Sequence, residues 1–83
     1  MMTKEEFNEK MRQRTKKLAV DVIVFLTELP PHKAMRLVDY QLTKAVTSVA
    51  ANYRAACRAR SQAEFHAKMS IVVEEADETL FWL

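Results

Sequence analysis

The chain contains no glycine. Hairpin turns and phosphate-cradling loops rely on glycine, which reaches positive φ without a steric cost. Their chemistry is largely excluded, and long helices with few breaks fit better. Proline occurs only as the adjacent pair Pro30-Pro31. Cys57 is the only cysteine, so no internal disulfide can form and a cysteine-based zinc site within one chain lacks ligands. No apolar run approaches the roughly 20 residues that span a bilayer. The opening MMTKEEF lacks the apolar core of a signal peptide. A cytoplasmic protein without a membrane partner is the expectation.

What is present is a chain of 83 residues, 49% hydrophobic, enough for one helical domain over residues 1–83. A chain this short has little core to spare. The net charge of +2 conceals an uneven distribution. Residues 1–29 carry six basic and five acidic groups, and residues 30–60 carry six basic groups against Asp39 alone. Residues 61–83 carry Lys68 against Glu64, Glu74, Glu75, Asp77 and Glu78. A basic middle and an acidic end attract each other, within one chain or between chains. A basic middle also suits nucleic acid.

Three helices follow from the pattern, at about residues 3–28, 32–59 and 62–83. Thr3 with Glu6, and Ser61 with Glu64, are capping boxes in which hydroxyl and carboxylate each satisfy an orphan N–H. In the first helix Phe7, Met11, Leu18, Val22, Phe25 and Leu29 form one stripe, widened later by Ala19, Ile23 and Leu26. Its early turns are charged, with Lys10, Arg12, Arg14, Lys16 and Lys17, and read as a solvated face. Pro30-Pro31 ends this helix, and the second begins near Pro31 or His32. Its core stripe is Val38, Leu42, Val46, Val49, Tyr53 and Ala56-Cys57. Beside that lies a small, partly polar stripe in which Ser48 and Asn52 are placed to fix how helices meet, as hydrogen-bonding side chains at a close contact. The third face carries Lys33, Arg36, Tyr40, Lys44, Thr47, Ala51, Arg54 and Arg58. The third helix buries Phe65, Met69, Val72, Ala76, Leu80 and Leu83, and it is still apolar at Phe81-Trp82-Leu83. Those three residues read as a face to be covered by a further helix or by other chains.

No catalytic residues emerge. The carboxylates at 74, 75, 77 and 78 lack the Glu-x-x-His pairs of a di-metal bundle, so no metal or other cofactor is expected. They read instead as a solvated face or as partners for Arg54 and Arg58. Two histidines in unpromising places assemble no Ser-His-Asp triad. Cys57 reads as a packed, inert thiol. The strongest lead is the basic face, where Arg36, Lys44, Arg54 and Arg58 are the candidate phosphate contacts and Tyr40 a stacking surface.

The wording of the second and third helices adds a resemblance. It lies in Gln41-Leu42, Ala45-Val46-Thr47-Ser48-Val49, Ala51-Asn52-Tyr53-Arg54, Ala56, Arg58-Ala59, Ser61, Glu64-Phe65, Lys68-Met69, Glu74-Glu75-Ala76, Glu78-Thr79 and Trp82-Leu83. With the turn from Phe25-Leu26 to Leu29-Pro30, this covers about residues 18–83 and resembles the 23S rRNA intervening-sequence proteins, a bacterial four-helix-bundle family. A more distant likeness is to the accessory variability determinant of diversity-generating retroelements, which works with a reverse transcriptase and nucleic acid. The family pattern has Glu where this chain has Ala55, and members continue past Trp-Leu into a fourth helix.

The resemblance implies an all-α, antiparallel up-and-down bundle, three helices of which lie in this chain. It also implies assembly with itself into rings, as homopentamers, and no enzymatic activity. Two functional expectations stand side by side. One is a non-enzymatic bundle that offers its basic face to RNA or to a nucleic-acid-processing protein. The other is a protein-interaction scaffold whose basic face pairs with a neighbour's acidic end.

Overall fold

The computed structural model describes residues 1–30 and 32–83, and for Lys33 and Ala34 the backbone alone. Pro31, expected to open the second helix, and the Lys33 side chain of the basic face lie outside the described residues. Three α-helices occur among the described residues: α1 (Lys4–Thr27), α2 (Lys33–Cys57) and α3 (Gln62–Trp82). No strand occurs among the described residues.

Both expected capping hydroxyls are in place. Thr3 Oγ1 accepts from the Glu6 N–H and Ser61 Oγ from the Glu64 N–H, both at 3.1 Å, and both capping residues have extended backbone. Each satisfies one of the four orphan donors at a helix start. At its C-terminal end α1 tightens: the Glu28 and Leu29 N–H groups bond three residues back, to the Phe25 and Leu26 carbonyls. α2 ends at Cys57, earlier than the expected position 59. There the Arg58 and Ala59 N–H groups bond three residues back, to Ala55 and Ala56, and close the last turn without glycine.

α2 is the middle helix. Leu42 and Val46 meet Ala19, Val22 and Leu26 of α1, with Ala50 and the α3 residue Trp82 packed against the same cluster. Nearer its C-terminal end, Val49 and Tyr53 meet Val72 of α3, with Met11, Met69 and Ala76 around them. Late α1 thus lies beside early α2, and late α3 beside the same end. The order is up, down, up, as an antiparallel bundle requires. α1 and α3 each pack along α2, but their backbones do not approach one another.

The result is a flat, open layer. Its principal extents are 44 × 25 × 16 Å, with a radius of gyration of 14.4 Å. A compact chain of this length is expected near ~12 Å.

The open side corrects part of the expected core. Val22 is buried and Met11 half-buried, but Phe7, Leu18, Phe25 and Leu29 are exposed, Phe25 to 56%. A wide apolar stripe needs two neighbours to cover it, and α1 has only α2. Only its central strip, Ala19, Val22 and Leu26, is buried. The same holds for α3, where Val72 is buried while Phe65 and Leu80 remain exposed. The α2 stripe is buried as expected from Leu42 to Ala56, with Val38 and Cys57 half-buried at its ends. Because the helices alternate in direction, the exposed apolar residues Val24, Phe25, Leu37, Tyr40, Leu80 and Phe81 collect at one end of the layer. The charged early turns of α1 lie at the other.

Truncation in the middle of α2 therefore costs far more than truncation on the open flank. Leu42→Ala is expected to lower unfolding free energy by about 3 kcal/mol. Leu18→Ala in the unassembled chain is expected to change it by about 0.5 kcal/mol. Urea unfolding followed by circular dichroism at low protein concentration measures both.

Candidate nucleic-acid interface

Arg54 lies in the last turn of α2 and Arg58 in the turn that follows it, four residues on, while positions 12 and 16 of α1 are one helical turn apart and share a face. Packing α1 antiparallel to α2 brings these two pairs to the same groove. Arg12 and Lys16 line it from one side, Arg54 and Arg58 from the other, with Glu9 and Gln13 at its mouth. Its volume is about 680 Å³, and its floor is aliphatic: Ala19, Val20, Ile23, Ala50 and Ala51. A shallower depression continues it past Arg54 and Arg58 to Arg60 and Glu64.

Arg12 is partly neutralised. Its guanidinium bonds the Glu9 carboxylate, with Nε at 3.0 Å from Oε2, and Gln13 Nε2 donates to the other carboxylate oxygen at 3.1 Å. The Arg12 bond first, and the Gln13 bond after it, hold the Glu9 carboxyl below its usual range, with Arg12 and Arg54 adding charge attraction. The same bond to Glu9 raises the Arg12 guanidinium further. Among the described residues, Lys16, Arg54, Arg58 and Arg60 have no carboxylate within ion-pair distance. The other ion pair, Lys17 to Asp21 at 2.7 Å, is exposed and lies within α1. Such a pair adds little stability.

The remaining candidates, Arg36, Tyr40 and Lys44, sit at the other end of α2, around a depression shared with Asp39 and Thr43. Thr47 and Ala51 interrupt the stripe. The gap from Lys44 to Arg54 is about 15 Å along the axis. The expected single basic face is thus two patches, and only the second gains cations from α1. Tyr40 is exposed, in a position open to a stacking partner.

Ser48 and Asn52 are half-buried, and they bond to one another. Asn52 Nδ2 donates to the Ser48 carbonyl at 3.0 Å and to Ser48 Oγ at 2.9 Å. The expected cross-helix bond is replaced by a local one, because residues four apart on a helix already face each other. The cross-helix polar contact falls to Tyr53, whose buried phenol reaches Asn8 Oδ1 of α1 at 3.4 Å. Burial pushes the Tyr53 phenol up from its ordinary value, and Cys57 beside it adds to the shift. Thr79 was not anticipated as a core residue. It is buried and returns its hydroxyl to the Glu75 carbonyl at 2.8 Å, which removes the polar cost of its place.

The aromatic end divides. Trp82 turns toward the α1–α2 cluster and is half-buried, while Phe81 and Leu83 remain outside. Phe81 and Trp82 meet edge to face, with centroids 5.0 Å apart. The Trp82 indole donates to Glu78 at 3.4 Å. No α3 carboxylate pairs with a cation among the described residues, so the anticipated attraction to Arg54 and Arg58 is not made within the chain. No group of three or more His, Cys, Asp or Glu able to hold a metal occurs among the described residues. No described helix is long and apolar enough to cross a membrane.

A family model described as 23S rRNA-intervening sequence protein matches residues 8–83. No curated protein and no solved structure matches the chain.

The raised Tyr53 phenol has a pH consequence. A folded-state value above the unfolded one contributes stability that is full below the unfolded value and is lost as pH rises through the folded one. Resistance to thermal unfolding is therefore expected to weaken above about pH 10, where tyrosine ionises. Tyr53→Phe should flatten that decline, and it should cost about 1 kcal/mol at neutral pH through the lost bond to Asn8.

Proposed function

This chain belongs to the 23S rRNA-intervening sequence protein family, and we propose that it is a non-enzymatic helical bundle that binds nucleic acid, RNA above all, on the cationic groove between α1 and α2. The observation that carries this reading is the meeting of two cation pairs in one groove, with Lys16, Arg54 and Arg58 making no ion pair with a carboxylate among the described residues. Uncompensated cations on a surface attract polyanions, and each phosphate contact releases condensed counterions. Arg60 extends the patch, while Arg36 and Lys44 offer a second contact about 15 Å further along α2.

A second feature supports self-association. Phe25, Leu37, Tyr40, Leu80 and Phe81 are each more than half exposed in the single chain. Exposed apolar residues gathered at one end of a small protein mark an interaction surface. We read the protein as a homo-oligomer, a ring of five being the form its family likeness implies. Such rings place the cationic grooves of several copies on one particle, so that one RNA engages more than one of them.

Binding to a structured RNA should weaken steeply with salt. For about three phosphate contacts per copy the slope of log K against log salt is about −3. Replacing Arg12, Lys16, Arg54 and Arg58 together by Gln should remove most of that slope, whereas replacing Arg36 and Lys44 should remove only a smaller part. Titration at several salt concentrations by fluorescence anisotropy tests this. Equal binding by the parent and the fourfold variant overturns the reading. Light scattering on the parent protein tests self-association separately.

A further inference from the structure

We propose that the RNA held by the cationic groove is unpaired, with phosphates along the groove and one base stacked on Phe65 in a hollow beyond the α2–α3 turn. The proposal rests on the reading of the groove as an RNA surface, and it names the kind of RNA and the place of a base.

The groove by itself recognises only phosphate. Its floor is aliphatic and no aromatic residue lines it, so a base finds no ring to stack on. Contacts to the backbone position a nucleic acid without reading its bases. The cations continue past the groove, however. Arg54 and Arg58 also line the shallower depression that reaches Arg60. Arg60 in turn lines a third hollow, of about 370 Å³. Glu64 opposes phosphate on the middle stretch, where Arg54, Arg58 and Arg60 outnumber it. Shared arginines thus link the three hollows into one path.

The third hollow has a different chemistry. Early α1, the end of α2 and early α3 enclose it, and Lys4, Asn8, Arg60, Phe65 and His66 are among its lining. The periodicity of α3 assigns Phe65 to a core, yet it is 39% exposed. His66 stands beside it, with ring centroids 5.8 Å apart and planes at 75°. Lys4 and Arg60 make no ion pair among the described residues. An open aromatic ring between two such cations suits a base that is still attached to its phosphates. The imidazole adds hydrogen-bonding nitrogens next to the stacking surface. The volume is in the range of small-molecule sites.

The path also bends. Arg54 lines the first groove and Ala56 the third hollow. Two residues on a helix are about 200° apart around its axis. The groove and the hollow therefore lie on opposite sides of the end of α2. A duplex keeps its bases stacked inside and presents no free ring face to Phe65. Unpaired nucleotides turn within a short length and splay a base outward onto an aromatic side chain.

Fluorescence anisotropy with two RNAs tests the assignment. One probe is a labelled single strand of ~12 nucleotides, within the site sizes of single-strand binders. The other is the same strand annealed to its complement. At near-physiological salt the parent should favour the single strand. Phe65→Leu keeps the apolar bulk and removes the ring. It should weaken single-strand binding at least about fivefold, as loss of one base stack does, and leave duplex binding unchanged. Phe65→Trp should restore the single-strand affinity. Circular dichroism should show parental helix content in both variants, because position 65 is exposed. If Phe65→Leu binds the single strand as tightly as the parent, or loses both RNAs equally, the stacking site is wrong. A parent that binds the duplex as tightly as the single strand also overturns it. In each of these cases the groove reading stands if the fourfold Gln variant loses binding. A parent that binds neither RNA overturns both. If Phe65→Leu binds RNA normally but loses assembled mass by light scattering, the hollow belongs to a second copy and the proposal fails.

Discussion

Val46 lies at the midpoint of α2 with none of its surface exposed, and the fold depends on what it touches. It is packed with Ala19, Val22 and Leu26 of α1, and Trp82 of α3 closes on the same cluster. α2 is the one helix with a neighbour on each flank. Its apolar stripe is therefore covered along most of its length, while those of α1 and α3 are covered only where they face it. Burial of apolar surface is the main favourable term in folding, and in a layer of three helices most of it must pass through the middle one.

This constraint explains the surface as well as the core. A helix with one neighbour buries one strip and leaves the flanks of its stripe in water. α1 consequently exposes Phe7, Leu18, Phe25 and Leu29 on one flank and lends Val20 and Ile23 to the groove on the other. The up-down-up order then sorts chemistry by end. Apolar residues of late α1, early α2 and late α3 share one end, and the cations of early α1 and late α2 share the other.

The cationic groove shows how a site arises from two unremarkable faces. Alone, Arg12 and Lys16 are solvated side chains on a charged turn, and Arg54 and Arg58 are the last cations of a helix. Side by side they concentrate positive potential over an aliphatic floor. Glu9 bonds Arg12 and is also attracted by Arg54, while Lys16 and Arg58 make no ion pair among the described residues. The carboxylates at 74, 75, 77 and 78 lie on α3 and pair with no cation among the described residues.

Much was legible from local pattern. The two capping hydroxyls, the proline break, the helix count and the α2 core from Leu42 to Ala56 depend on spacing within a few turns, and spacing is written in the sequence. The choice of Arg54 and Arg58 as candidate contacts also came from periodicity. The addition of Arg12 and Lys16 did not, because it depends on which flank of α1 lies against α2. Asn52 looked like a cross-helix link, since a polar side chain mid-helix needs a partner. Ser48 one turn earlier supplied it, and the long-range bond went to Tyr53. The sequence by itself therefore determined the helices, the capped starts of α1 and α3 and the polarity of each face. Tertiary packing alone decided which apolar residues are buried and which cations share a groove, because both depend on how many neighbours a helix has and on which side they lie.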